Sequence, residues 1–132
     1  MPATAEQEAL IKEQNLGILA TLKKNGSPQL SPVNYAYQDG RVLISITKSR
    51  AKYHNIKRSP QVSFCVMKPE GRPYVTLYGR ADIEEQDIVE GTAAIFKRMS
   101  DRELPDNFKD ILRKQGRVLV TLTPERFVPQ EG

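Results

Sequence analysis

The sequence predicts a mostly β protein: a six-stranded antiparallel β-barrel with α-helices around it. Three observations carry this. Six β-capable segments are spread over the 132 residues, at about 16–23, 28–37, 41–47, 61–67, 73–83 and 117–122. Glycine-containing turns join the first three as a meander. The longer helical segments come late and are followed by one last strand. Closing such a sheet removes its exposed edges.

Residues 5–15 read as a helix with a weak apolar patch at Ala9, Leu10 and Ile11. Residues 16–23 then become apolar and β-capable, and end at Lys24-Asn25-Gly26. Asn-Gly is the strongest short hairpin signal, because both central positions of the tight turn take positive φ. Strand 28–37 leads into a second such turn, Gln38-Asp39-Gly40. In 41–47, Val42, Ile44 and Ile46 alternate with Arg41, Leu43, Ser45 and Thr47, the period of a strand. Ser49 is a candidate N-cap for a short helix over 50–58, and Ser59-Pro60 stops it. Val62, Phe64 and Val66 alternate in 61–67, and Pro69-Glu70-Gly71-Arg72 is a turn. Strand 73–83 sets Val75, Leu77 and Gly79 against Tyr74, Thr76 and Tyr78. A glycine inside a strand points to a bulge or a close backbone approach. Ile88, Thr92, Ile95, Phe96 and Met99 then recur at helical spacing, a packing face rather than a cofactor box. Phe108, Ile111 and Leu112 do the same beyond Leu104-Pro105, and Thr123-Pro124 ends the last strand.

The length favours one domain, 1–132. No apolar run nears the ~20 residues of a membrane span, and Met1-Pro2-Ala3-Thr4-Ala5-Glu6 has neither the basic nor the apolar region of a leader. Cys65, the one cysteine, allows no internal disulfide. A cytoplasmic protein is expected, with no membrane partner. Cys65 itself reads as a small sheet residue. One cysteine and one histidine do not make a structural zinc site. A nucleophilic triad would need His54, which sits among cations with no orienting carboxylate nearby in the sequence.

The net charge of +4 is mild, but its distribution is uneven. Lys48, Arg50, Lys52, His54, Lys57 and Arg58 crowd one stretch, and Glu84, Glu85, Asp87 and Glu90 another. The acidic group reads as a solvated helix start, favoured by the helix dipole. The basic group points to a local anion rather than a nucleic-acid track, since it lacks interleaved aromatics apart from Tyr53. In Ser45-Ile46-Thr47-Lys48-Ser49-Arg50-Ala51-Lys52 a strand runs out through hydroxyls into a helix that opens with cations. Cations are unfavourable at that end, and a phosphate or carboxylate held there would reverse the penalty. A solvated basic helix face is the other reading. Because so small a barrel is filled by side chains, a ligand belongs in an outer groove, which two copies of a dimer could share.

The run Leu19-Ala20-Thr21-Leu22-Lys23-Lys24-Asn25-Gly26-Ser27-Pro28-Gln29-Leu30-Ser31-Pro32-Val33 resembles the first hairpin of the pyridoxamine 5′-phosphate oxidase-like split β-barrel family. Ser49-Arg50-Ala51-Lys52-Tyr53-His54-Asn55-Ile56-Lys57-Arg58-Ser59-Pro60-Gln61-Val62 resembles its second motif, and Tyr78-Gly79-Arg80-Ala81 a later one. Arg117 to Leu122 and the closing Pro124-Glu125-Arg126 also fit. Pro-Gln-Leu-Ser after the first turn and Arg-Ala-Lys at the helix start are most similar to the branch that uses the deazaflavin coenzyme F420. The resemblance implies a homodimeric FMN-binding-like split barrel that transfers a hydride between F420 and a small unsaturated or conjugated substrate. It implies that Gln29, Ser31, Pro32, Val33 and Asn34 line the cofactor ring, with Ser45, Thr47 and Lys48 on the next strand. Arg50 and Lys52 would hold the phosphate of the cofactor tail, and Tyr74, with Arg72, would come from the partner subunit. Pro32 departs from the pattern, because it has no N–H to give a ring atom. No catalytic acid is assigned; Tyr35, Tyr37, Tyr74 and Tyr78 are candidates for proton delivery or stacking, or plain sheet aromatics. An FMN-dependent oxidase-like protein and a non-catalytic flavin or deazaflavin carrier are the alternatives, with a nucleic-acid binder behind both.

Overall fold

The computed structural model describes residues 2–129. Met1, at the head of the segment read for a leader, and residues 130–132, the end of the expected domain, lie outside them. The order is α1 (Ala5–Glu13), β1 (Leu16–Leu22), β2 (Pro28–Gln38), β3 (Arg41–Thr47), α2 (Ala51–Arg58), β4 (Gln61–Met67), β5 (Tyr74–Glu84), α3 (Val89–Met99), α4 (Phe108–Gln115) and β6 (Arg117–Val128). The strands close into an antiparallel barrel in the order β1-β2-β3-β6-β5-β4.

Alternation decides what fills it. Leu19, Tyr35, Ile44, Phe64, Leu77 and Leu122 point inward and are fully buried. Tyr35 meets Phe64 edge-on, and its hydroxyl donates 2.6 Å to the Ile11 carbonyl. A second core lies outside the barrel, where Leu43 and Leu119 pack with Ile95 of α3 and Phe108 and Leu112 of α4. The outer face of β2-β1-β4-β5 carries instead Leu30, Ile18, Ala20, Cys65, Thr76, Met67 and Tyr74 in neighbouring registers. Leu30 is 66% exposed and Tyr74 44%.

The N-terminal helix is held at both ends. Thr4 and Gln7 form a reciprocal capping box. At its other end the Arg98 guanidinium, from α3, donates to the carbonyls of Lys12, Gln14 and Tyr35. Leu10 and Ile11 are buried, whereas Ala9 is exposed.

Three local expectations are corrected. The first turn is longer than an Asn-Gly pair: Lys23 N–H donates to the Ser27 carbonyl, and only Gly26, at φ 87°, is left-handed. The Asn25 side chain folds forward and accepts from the Ser27 N–H and hydroxyl, an alternative to the tight turn. The second turn keeps the tight form, with Asp39 and Gly40 both at positive φ. Ser49 is not the cap of α2; Arg50 holds that place without a side-chain cap bond, while the Ser49 and Thr47 hydroxyls pair at 3.2 Å. Finally, β6 does not stop at Thr123-Pro124. It continues to Val128 because the ladder shifts there: Gly79 pairs with Pro124 and Tyr78 with Arg126, leaving Glu125 extra. Proline is tolerated at such a bulge, where no ladder N–H is required.

Gly79 is both things a strand glycine implies. It sits at the register shift, and a Cβ there would overlap the Thr123 carbonyl oxygen and lie 3.0 Å from Pro124 Cα. Gly79→Ala is therefore expected to cost about 3 kcal/mol by overpacking against backbone, read as a lower urea midpoint; an unchanged midpoint would refute the close approach.

Candidate functional site

The junction between β3 and α2 builds the site. Arg50 N–H bonds back to the Thr47 carbonyl at 3.1 Å, and the Arg50 carbonyl accepts from Tyr53 N–H at 3.1 Å. This turn carries Arg50 and Lys52 into a groove of about 420 Å³ on the barrel wall. One side is formed by Pro32, Val33 and Asn34 of β2, the floor by Ser45, Ile46 and Thr47 of β3. Ile95, Phe96 and Met99 of α3 form an apolar wall, and Arg117, the first residue of β6, closes the end.

Three cations thus line one groove, and among the described residues no carboxylate lines it or pairs with them. Burial, then the charge of Arg50, lowers the Lys52 ammonium below its ordinary range. The same two causes lower Arg117, whose guanidinium, among the described residues, bonds the Gln115 amide oxygen at 3.0 Å and the Ser45 hydroxyl at 3.4 Å. Holding three like charges together is unfavourable unless an anion completes the set. A phosphate-bearing group fits: it takes a bidentate arginine and a point-charge lysine.

Seven of the expected residues therefore meet: Pro32, Val33, Asn34, Ser45, Thr47, Arg50 and Lys52. Five do not line the groove of their own chain. Ser31 faces the barrel interior and is buried. Gln29 lies under α2, where Asn55 Nδ2 donates to its side-chain oxygen at 2.9 Å. Arg72 and Tyr74 stand exposed at the head of β5, across the bare sheet face. Lys48 turns away, its ammonium 2.9 Å from Glu85.

Glu85 is not part of a solvated helix start. It also accepts from Lys57 at 3.1 Å and from the Tyr53 hydroxyl at 3.1 Å. These bonds, Lys48 first, hold its carboxyl down at about 2. One carboxylate so ties the end of β3 and one face of α2, that of Tyr53 and Lys57, to the loop after β5.

Sequence reasoning missed Arg117 and the groove wall of α3. Arg117 lies opposite Thr47 in the β3–β6 pairing, a neighbour relation only the barrel order reveals. Ile95, Phe96 and Met99 belong to the helical stripe expected to pack; Ile95 does so, and the stripe's edge also walls the groove. None of the four tyrosines considered for chemistry lines the groove. Tyr35 is inside the barrel, Tyr37 donates to Glu8 at 2.9 Å and is pushed up to about 12 by burial and that bond, and Tyr78 lies under Arg126.

A closed six-stranded barrel with helices on part of its wall defines a split-barrel protein, here with an outer cationic groove at the β3–α2 junction. The family model described as Pyridoxamine 5′-phosphate oxidase matches residues 3–130, and the chain belongs to that family. Among solved structures, one named F420 Reductase is 27% identical with a TM-score of 0.80, covering 97% of this chain and 100% of that one. A heme storage protein from Vibrio cholerae is 21% identical (TM-score 0.70, 96% and 94% covered). A FAD-binding protein from Mesorhizobium loti is also 21% identical (TM-score 0.71, 95% and 91% covered). These last two share the fold.

Because Glu85 is depressed from 4.5 to about 2 on folding, its stabilising contribution is fully present above the higher value and is lost as pH falls toward the lower. Wild type and Glu85→Gln should therefore converge in urea midpoint between pH 4.5 and 2. A gap that stays constant over that window would show that the clamp does not form.

Proposed function

We propose that this chain is an oxidoreductase of its family that binds coenzyme F420 in the groove and transfers a hydride between it and a small unsaturated or conjugated substrate. One observation carries the reading: Arg50, Lys52 and Arg117 line a single groove with no carboxylate among them, beside a wall of Pro32, Val33 and Asn34. The 27% identity to the F420 Reductase over nearly the whole of both chains supports F420 over FMN. FMN is the alternative, because the same cations suit its phosphate.

When bound, a reduced deazaflavin supplies a hydride to an electron-poor carbon; the protein's part is position, charge and exclusion of water. Arg50 and Lys52 hold the phosphate, and Arg117 adds a third charge from β6. The apolar edge of Ile95, Phe96 and Met99 shields one side from water. Asn34 is the polar side chain on the β2 wall, next to Pro32, which has no N–H to give.

The working unit in this proposal is a homodimer in the cytoplasm. Pro32 belongs both to the groove and to the bare face of β2-β1-β4-β5, so the groove opens onto that face. Leu30, Leu16 and Tyr74 lie there exposed, an apolar surface suited to a second copy. Arg72 and Tyr74, far from their own groove, would then reach the partner's.

Titration by fluorescence quenching tests the ligand. F420 should bind more tightly than FMN, and Lys52→Ala or Arg117→Ala should each weaken binding on the order of tenfold or more, with melting temperature unchanged. Unaltered affinity in both variants refutes the phosphate assignment. Binding without reduction of any enone or quinone favours the carrier. Leu30→Glu should convert a sedimenting dimer to monomer; a Leu30→Glu dimer, or a monomeric wild type, overturns the two-chain groove.

A further inference from the structure

On the far side of Arg117 from the groove lies a second cavity, of about 390 Å³, between the start of α3, the side of α4 and the start of β6. Lys48, Lys109, Arg113 and Arg117 line it, and Glu85 is the one carboxylate among the lining residues. Glu85 is already engaged by Lys48, Lys57 and the Tyr53 hydroxyl. Lys109 and Arg117 form no ion pair among the described residues, and Arg113 meets only Asp110, at 3.8 Å on the exposed side of α4. Lys109 and Arg113 are four apart, so they stack on one helix face, where like charges oppose helix formation. Ile88, Val89 and Gly116 complete the lining.

We infer that this cavity is a second anion site, which takes the phosphate or carboxylate group of a small molecule. It shares Arg117 with the groove, because that side chain lines both. Its occupant is either a free anion or the far acidic end of a molecule seated in the groove. A free anion must compete with the groove's ligand for one guanidinium, so the two sites oppose each other. A single molecule with two acidic groups uses both together. The site stands on its own residues and does not depend on which cofactor the groove holds.

Inorganic phosphate is the probe, followed by amide NMR on the full chain. Saturable shifts at Val89, Lys109 and Gly116 are expected. A Lys109→Ala/Arg113→Ala double variant, altered at two exposed positions, should weaken those shifts at least tenfold. It should leave the melting temperature, and the response of Asn34 and Lys52 to FMN, as in wild type. Phosphate shifts confined to the groove, or cavity shifts unchanged in the double variant, overturn the proposal. Two further titrations separate the sources. If phosphate lowers FMN affinity in wild type but less so in the double variant, the occupant is a free anion. If F420 moves the Val89 and Gly116 amides where FMN does not, the occupant is the ligand's own acidic end. Failure of FMN and F420 to bind would sink the cofactor reading and leave the cavity shifts standing.

Discussion

Closing a sheet of six strands leaves an interior with room for side chains and nothing else. Leu19, Tyr35, Phe64 and Leu77 take that room, and every other feature follows from it. Polar chemistry is displaced to the outer wall. Helices can cover only part of that wall, so α3 and α4 bury the β2-β3-β6 side and leave the opposite side open. The groove forms at the border, where α3 stops covering β2 and the β3–α2 turn comes in from below.

Electrostatics then divides the basic residues into two populations. Lys48 and Lys57 both pair with the single carboxylate of Glu85, which fixes α2 against the barrel. Arg50, Lys52 and Arg117 have no such partner. The first population positions, and the second leaves unpaired positive charge in the groove. A sum over the chain hides this division, because +4 is the small remainder of charges used in opposite ways.

The strands were legible because alternation and turn residues are local. Strands 41–47 and 61–67 agree with β3 and β4 in both bounds, and Gly79 announced its bulge by being a glycine inside a strand. That Arg50 and Lys52 line one groove was legible for a related reason: they are neighbours in the chain. Two local details failed, the first turn and the Ser49 cap, where short polar side chains bond each other instead; at the groove, what failed was non-local. Arg117 meets the groove only through the β3–β6 pairing, and Lys48 leaves it only because Glu85, far along the chain, is folded against it. The end of β6 was misplaced because proline normally breaks a ladder, and nothing near Pro124 in the sequence tells that Gly79 will accommodate the shift.

Arg98 gives the molecule one more property. Its guanidinium joins the last turn of the N-terminal helix to α3, the helix whose Ile95, Phe96 and Met99 wall the groove. The two segments lie 86 residues apart at the Arg98–Lys12 bond but are tied directly to each other. Loosening the N-terminal helix would therefore be felt as slack in the apolar side of the groove, so a segment outside that lining still sets how firmly the wall is held.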